Sequence, residues 1–564
     1  MIRLILPQLG VRISFRTFAR RKAVKLMIKK LLKNHYYLTF FSLILSSIIF
    51  VISVYFNYSP AVQGVYALFL LCLLFPYVRK SLGTSKYTKT SLICGLLLAI
   101  SCLTVYRFTI IQTLNITLVV IGFLFVYMFC FLFIKAFCLF LETQIERTTS
   151  DSAEPWSAKR VFWWVFAIAF VSLSMYWLAS FPSRTTHDVA TQLNQINGVT
   201  PYSNIHTIGH TIFLKFLFMI YDSTATVIFV QILMVSFLIS TFARFLYEKG
   251  ARYSWLIVLT IIFTACCFRD AAYMYPLKDA PYAICLGVCT YFIIRSVDST
   301  SYKMNYGRVI LLGVSMAFSV IFRHNGIVAF VFCGIYFIHL FMKTKTYKML
   351  FVMTIVCAVC TAAVNFYSYD VLHAENPPNG YALQPLGSAI ASVVANEGNI
   401  TPSQYQRISQ LLPIQHMKDN YVPWQGYYLA WTSEDFAAAL GANHTQVIGL
   451  YFELLPGNPG LYIQDIIYNT HAIWGFTGES GFVGNSFLFI LLFAAMAVSW
   501  NKEIFKKRWV IFLPVVANVL SIAVSTITNE ARYFLPTFTL FMPLFVYILC
   551  TKRSNDHTEA NDII

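Results

Sequence analysis

The stretch 208–221, IGHTIFLKFLFMIY, decides the topology of this chain. It is apolar, yet it is shorter than the ~20 residues that a helix needs to span a bilayer, and it contains His210 and Lys215. If it crossed the membrane, every later basic loop, beginning with 244–252, would lie opposite the basic N-terminal segment. Lys and Arg concentrate in cytoplasmic loops. The sequence therefore predicts that 208–221 lies along the membrane surface as an interfacial helix.

The composition indicates an all-α polytopic membrane protein. Of the 564 residues, 58% are hydrophobic and only 12% are charged, about half the charged fraction of a soluble domain. The net charge of +18 comes from Lys and Arg in short loops between apolar runs, which argues against a nucleic-acid partner. The cysteines lie in or beside the apolar runs, so no disulfide framework is expected.

The apolar runs predict about fourteen transmembrane helices with both termini in the cytoplasm, once 208–221 is set aside. The runs are 36–56, 62–79, 91–107, 112–141, 161–181, 224–246, 253–268, 280–295, 308–322, 327–342, 348–366, 485–500, 509–527 and 533–550.

Seven regions follow from this topology. They are a basic cytoplasmic N-terminus (1–35), an accessory transmembrane bundle (36–141), a cytoplasmic linker (142–160), a core (161–366) with an outer loop (182–223), an extracytoplasmic segment (367–484), C-terminal transmembrane helices (485–550) and a cytoplasmic tail (551–564). The segment 367–484 has nine acidic and two basic residues and many aromatics. A loop this long with such a composition is expected to be an ordered subdomain.

The predicted outer loops carry the charged residues that are candidates for function. A carboxylate can act as a general base, and cations at the membrane boundary can hold a phosphate. The acidic candidates are Asp188, Asp270, Asp279 and Glu530; the basic ones are Arg269, Lys278, Arg323 and Arg532; and the histidines are His187, His206 and His210.

Each candidate also has a structural interpretation. Asp188 could be the N-cap of the helix predicted for VATQLNQI. Asp270 with Arg269, Asp279 with Lys278, and Glu530 with Arg532 could be simple charge pairs at the interface. Arg323 could be an anchor at the end of a span. The histidines fit no metal signature, so no metal ligand is predicted, although a divalent metal as cofactor is left open. The amides of Gln192, Asn194, Gln195 and Asn197 suit a short helix that faces the membrane surface.

Several motifs, in this order, resemble the GT-C class of integral-membrane glycosyltransferases. They are HDVATQLNQINGVTPYSNIHTIGHTIFLKFLF, YMYPLKDAPYA, IFRHNGI and NEARYFLPTFTLFMPLF. The resemblance covers roughly residues 161–550 and points to an uncharacterised bacterial branch of the class.

The resemblance implies a hexosyl- or pentosyl-transferase on the extracytoplasmic face of the bacterial cytoplasmic membrane. Its donor would be a polyprenyl-phosphate-linked sugar, and its acceptor a cell-envelope glycan or a protein. Asp188 corresponds to the catalytic base of the class, and Asp279, with Asp270 as rival, to a second acidic residue. Lys278, Arg323 and Arg532 correspond to the residues that bind the carrier phosphate. The sequence has HD and NIHTIGH where the class often has two adjacent acids or a proline-rich loop, which leaves the sugar and the acceptor open.

Two other functions stay open at this stage. A flippase or transporter of lipid-linked oligosaccharide would need charged residues deep within its spans, whereas here most charges lie at one face. A surface-polysaccharide polymerase or ligase would rely on Arg and His in place of an acidic base.

Overall fold

The computed structural model describes residues 77, 84–111, 116–148, 156–270, 272–298, 304–376, 380, 383–423, 426, 428–470, 485–525 and 531–561. These residues form helices, turns and loops; no β-strand occurs among them, and one isolated bridge pairs Ser203 with Glu375. The predicted span 36–56 lies outside the described residues, as does 62–79 except for Tyr77.

The first half of the described chain consists of long apolar helices and two shorter ones. These are α1 (Thr88–Ile111), α2 (Ile116–Thr148), α3 (Ala158–Leu178), α4 (His187–Ile196), α5 (Ile208–Ile220), α6 (Thr224–Glu248), α7 (Tyr253–Asp270), α8 (Asp279–Asp298), α9 (Tyr306–Phe322), α10 (Gly326–Lys343) and α11 (Tyr347–Phe366).

Short helices follow, and then the last long ones. These are α12 (Gln384–Ala395), α13 (Pro402–Leu411), α14 (Ile414–Asn420), α15 (Tyr428–Trp431), α16 (Glu434–Ala442), α17 (His444–Leu454), α18 (Pro459–Asn469), α19 (Asn485–Ser499), α20 (Lys502–Arg508), α21 (Leu513–Ser525) and α22 (Leu535–Asn561).

The chain is a multi-pass membrane protein by the length and composition of its helices. Seven helical stretches of the described chain are long and apolar enough to cross a membrane. They are Val126–Ile145, Ala158–Leu178, Thr224–Glu248, Asp279–Asp298, Gly326–Lys343, Tyr347–Val371 and Arg532–Thr551. Each coincides with a predicted span. The predicted spans in α1, α7, α9, α19 and α21 are also helical but have shorter apolar stretches or helices.

The loops that were predicted to lie outside meet at one end of the helical bundle, which we call the loop end. The backbone N–H of Arg184 donates to the carbonyl of Met274 at 2.9 Å. The backbone N–H of Asn204 donates to the carbonyl of Glu375 at 2.8 Å, and the carbonyl of Asn204 lies 3.2 Å from Nε2 of His324. The segments 182–207, 272–278, 323–325 and 367–376 therefore form one surface.

The segment between α3 and α6 leaves the loop end and returns to it. Ser183, which follows α3, donates a hydrogen bond from Oγ to Oγ1 of Thr224, the first residue of α6, at 2.8 Å. The chain therefore makes no net crossing of the bundle between these two residues. This geometry agrees with the prediction that 208–221 does not span.

The basic loops meet at the opposite end. Lys249 and Arg508 both pair with the carboxylate of Asp298, with 3.6 Å from Arg508 Nη1 to Asp298 Oδ1. The hydroxyl of Tyr247 donates to the carbonyl of Trp156 at 2.6 Å. Helices α3, α6 and α8 thus each run between the two ends.

The helices α12–α18 form a subdomain with a hydrophobic core of its own. Its fully buried side chains include Ile390, Met417, Leu440 and Leu450. The buried carboxyl group of Asp465 accepts hydrogen bonds from Ser388 Oγ and the Tyr421 hydroxyl, each at 2.9 Å. The described residues between 384 and 470 therefore pack around a core of their own.

Helix α5 packs closely on the loop end of α9 through a glycine. A Cβ atom on Gly209 would lie 2.2 Å from Cγ2 and 2.8 Å from the carbonyl oxygen of Ile321. Just before it, Thr207 donates from Oγ1 to the carbonyl of Phe322 at 2.7 Å. Small residues allow such close approach between helices in membrane proteins. This contact fixes α5 and the loop that precedes it against the bundle.

We expect Gly209→Ala to destabilise the protein because the new methyl group would force α5 away from Ile321. Overpacking of this kind costs about 1–3 kcal/mol, more than the ~1 kcal/mol that alanine gains over glycine in a helix. Thermal unfolding of the purified protein in detergent measures the effect. Gly460→Ala is the control, since its Cβ would meet nothing within 4 Å. Equal melting temperatures for Gly209→Ala and the wild type would contradict the packing described here.

Candidate functional site

Asp188 lies in the first turn of α4 but does not cap it. The N-cap is Thr186, whose Oγ1 accepts a hydrogen bond from the backbone N–H of Val189 at 3.4 Å. The interpretation of Asp188 as the N-cap is therefore wrong. Because Thr186 satisfies the helix terminus, the Asp188 carboxylate is directed to other partners.

The amides of α4 point into the protein in part, contrary to the prediction that they face the membrane surface. Gln192 is buried; its Nε2 donates to Thr211 Oγ1 and its Oε1 contacts His210 Nδ1, each at 3.0 Å. Gln195 is also buried and donates to Ser203 Oγ at 3.3 Å. Asn194 and Asn197 are exposed. The two buried amides fasten α4 to α5 and to the intervening loop, and so fix the position of Asp188.

The carboxylate of Asp188 pairs with an arginine from the far end of the chain. Arg532 Nη1 donates to Asp188 Oδ2 at 2.9 Å. Nδ1 of His206 lies 3.8 Å from the same oxygen. The side chains of Asp188 and Arg532 retain 14% and 16% exposure, so this pair is open to solvent.

Lys278 is the third charged group of this cluster. Its positive charge acts on both Asp188 and His206, which places it close to them, and it is partly buried. Within the described part of the chain, Lys278 forms no ion pair. Burial lowers the pKa of Lys278, as do Arg532 and Arg323, while Asp188 and Asp279 raise it.

The surroundings of Asp188 and His206 lower the pKa of both groups. Burial raises the pKa of Asp188, but the charges of Arg532, His206 and Lys278 outweigh burial and lower it overall. Burial lowers the pKa of His206 to about 4, and the charge of Lys278 lowers it further. At neutral pH, Asp188 is therefore ionised and His206 is neutral.

A second Arg–Asp pair lies at the same end and is sealed from solvent. Nη1 of Arg323 is 3.1 Å from Oδ1 of Asp279, and their side chains are 6% and 1% exposed. The guanidinium of Arg323 also lies over the ring of Tyr533, 4.4 Å from its centroid, and over Tyr282 at 5.5 Å. Asp279 therefore pairs with Arg323 and not with its neighbour Lys278. Neither member of this pair is open to a substrate in this structure.

The tight turn between α9 and α10 places Arg323. Its backbone carbonyl accepts from the N–H of Gly326 at 2.8 Å. A Cβ atom on Gly326 would lie 1.9 Å from the carbonyl oxygen of Ser319, so only glycine fits there. Asp279 starts α8, where a negative charge is also favoured by the helix dipole.

The remaining predicted residues are not all brought together. His210 is fully buried and bonded to Gln192, and burial lowers its pKa to about 3, so it is a neutral packing residue. His187 is exposed at the start of α4. Arg269 and Asp270 end α7, and their side chains lie outside the described residues, as does the whole of Glu530. Across the residues that the structure describes, no group of three His, Cys, Asp or Glu could hold a metal ion.

Two features of the site were not foreseen from the sequence. Tyr533 contacts both arginines, since the Arg532 guanidinium lies 5.3 Å from its ring centroid. Glu375 joins the loop before His206 by accepting from the N–H of Asn204 and donating its own N–H to the carbonyl of Tyr202, both at 2.8 Å. The adjacency of Tyr533 to Arg532 was a signal, whereas nothing in the sequence indicates the Glu375 pairing.

We expect Asp279→Asn to destabilise the protein strongly because it would leave the Arg323 charge buried and unpaired. Breaking a buried pair in this way costs about 3–5 kcal/mol, and thermal unfolding in detergent measures it. The control is Arg407→Gln, which breaks the exposed Arg407–Glu453 pair and should cost less than about 1 kcal/mol. The double variant Asp279→Leu/Arg323→Met should recover most of the lost stability. Similar losses of stability for Asp279→Asn and Arg407→Gln would refute the assignment of Arg323 and Asp279 as a buried pair.

We also expect stability to fall as the pH decreases from 7 to 5, in part through His206. The unfolded His206 (pKa about 6.5) takes up a proton that the folded residue, with its pKa of about 4, does not. Its neutral form therefore stabilises the fold at pH 7, and on the order of 2 kcal/mol of this is lost by pH 5. Melting temperatures should fall less over this range in His206→Gln than in the wild type or in His187→Gln. An identical fall in all three proteins would count against a buried neutral His206.

No family model matches the chain, and neither a curated protein nor a solved structure shows significant similarity to it. The geometry at the loop end is therefore the basis for assigning a function.

Proposed function

We propose that the protein is a membrane glycosyltransferase that transfers a sugar from a polyprenyl-phosphate-linked donor to a glycan or protein acceptor. The observation that carries this proposal is the cluster at the loop end, where Asp188 is paired with Arg532 next to Lys278. A carboxylate for deprotonating a hydroxyl and two cations for a phosphate are what this reaction requires. The cluster lies at the end of an apolar bundle, which is where the proposal requires a lipid-linked phosphate to bind.

In the proposed reaction Asp188 removes the proton from an acceptor hydroxyl. The hydroxyl oxygen attacks the anomeric carbon of the donor sugar, and the bond between that carbon and the phosphate oxygen breaks with its electrons. Polyprenyl phosphate leaves, and Lys278 and Arg532 stabilise the charge that develops on it. A single displacement inverts the configuration at the anomeric carbon.

The sealed pair has a positioning role in this proposal. Arg323 and Asp279 were expected to hold phosphate and to act as a second acid, respectively, but both are buried against each other. Arg323 instead supports Tyr533, the neighbour of Arg532. We accordingly assign the phosphate to Lys278 and Arg532.

The proposed topology places the loop end on the extracytoplasmic face of a bacterial cytoplasmic membrane. About fourteen spans with cytoplasmic termini put the basic loops inside and the subdomain 367–484 outside. The side chains of Phe216, Met219 and Ile220 on α5 are exposed. In this topology α5 lies along the outer interface, and these side chains are in the lipid. The donor's polyprenyl chain then reaches the site from the bilayer.

We expect Asp188→Asn to reduce transfer by at least about 10²-fold, because removal of a general base has effects of 10²–10⁴-fold. The assay incubates the purified protein with a panel of labelled polyprenyl-phosphate sugars and follows the release of polyprenyl phosphate. The matched control is Asp222→Asn, which changes an exposed acid after α5 and should leave transfer intact. Full activity of Asp188→Asn would remove Asp188 from the mechanism.

A surface-polysaccharide polymerase or ligase is the second candidate. The ionised Asp188 is held by Arg532, which favours a site that works through Arg and His without an acidic base. The Asp188→Asn variant separates the two functions. A polymerase or ligase should keep its activity in Asp188→Asn and lose it in Arg532→Gln.

A further inference from the structure

We propose that Arg532 changes partner during the reaction: it holds the Asp188 carboxylate in the empty enzyme and moves to the donor phosphate when the donor binds. The move frees Asp188 to take the acceptor proton. This inference rests on the proposed function and adds to it a coupling between donor binding and activation of the base.

The exposure of the two Arg–Asp pairs indicates which of them can open. The Arg323–Asp279 pair is almost fully buried. Separating the two side chains would leave two charges that are neither paired nor hydrated. The Arg532–Asp188 pair keeps 16% and 14% exposure, so either ion can gain water or a new partner when they separate. The exchange is therefore feasible at Arg532 and not at Arg323.

The charge balance of the cluster favours an incoming phosphate. The groups that act on Asp188 are Arg532 from the turn before α22, Lys278 from the turn before α8, and His206 from the loop after α4. With His206 neutral, Lys278 is a cation that has no ion pair among the described residues. A phosphate drawn to Lys278 arrives next to Arg532 and competes with Asp188 for its donors.

The proton transfer itself ends the competition between Asp188 and the phosphate for Arg532. Once Asp188 has taken the acceptor proton it is neutral, and it no longer competes for the guanidinium. At the same moment the departing phosphate gains negative charge, and Arg532 remains with it. The fork of N–H donors on arginine suits both a carboxylate and a phosphate, and the ring of Tyr533 supports the side chain at 5.3 Å.

A binding cycle tests the exchange without any measurement of activity. The ligand is polyprenyl monophosphate, titrated by calorimetry in detergent into the wild type, Asp188→Asn, Arg532→Gln and the double variant. If the carboxylate competes with phosphate for Arg532, Asp188→Asn should bind about tenfold more tightly than the wild type, the size of a charge-assisted hydrogen bond. Arg532→Gln should bind more weakly, and the double variant should bind like Arg532→Gln alone.

The controls separate partner exchange from a general charge effect. Asp222→Asn removes an exposed acid of the same region and should bind like the wild type. If Asp188→Asn binds no more tightly than the wild type, or gains as much when Arg532 is already Gln, the exchange is refuted while the proposed function stands. If the folded wild type binds no polyprenyl phosphate, the proposed function fails as well.

The pH dependence of transfer gives a second test. The acidic limb of kcat/KM reports the pKa of the base in the free enzyme, and that of kcat reports it in the donor complex. Loss of Arg532 to the phosphate should raise the pKa of Asp188, so the acidic limb of kcat should lie at higher pH than that of kcat/KM. In Arg532→Gln only the charge of the phosphate separates the two limbs, so their separation should be smaller than in the wild type. A separation in the wild type no larger than in Arg532→Gln would overturn the exchange.

Discussion

The contact between Arg532 and Asp188 joins parts of the chain that are 344 positions apart. Asp188 is on the short helix that follows α3, and Arg532 precedes the last helix of the bundle. Because the two side chains meet at 2.9 Å, the C-terminal end of α3 and the N-terminal end of α22 must lie at the same level. The segment between α3 and α6 must also return to that level. The Ser183–Thr224 hydrogen bond and the packing of Gly209 on Ile321 provide that return.

The loop end combines two Arg–Asp pairs with different roles. In an apolar bundle, a polar pair that is sealed from water holds its elements in place, because opening it would strand two charges. Arg323 and Asp279 are such a pair, and they join the loop ends of α9 and α8. The pair of Arg532 and Asp188 is open, and Tyr533 lies between the two arginines. The buried Arg323–Asp279 pair thus supports, through Tyr533, the partly exposed Arg532–Asp188 pair.

The sequence predicts the helices of this protein better than it predicts the partners of its charged side chains. Apolar length was sufficient to predict the helices that are long and apolar enough to cross a membrane, because that signal is local. The partner of Asp279 is Arg323 and not the adjacent Lys278, and the cap of α4 is Thr186 and not Asp188. Those outcomes depend on which helix ends meet in space, and a single sequence does not contain that information. The inward orientation of Gln192 and Gln195 has the same origin.

A carboxylate held by arginine is a weak base, and in the proposed reaction that weakness has a use. A glycosyltransferase must avoid passing its sugar to water, which is always present and needs the same activation as an acceptor hydroxyl. While Arg532 holds Asp188, the pKa of the Asp188 carboxyl stays below its usual range. Asp188 therefore does not activate water near the empty site. The base then becomes effective only when a phosphate occupies the adjacent cations, which is also when a sugar is in place to react.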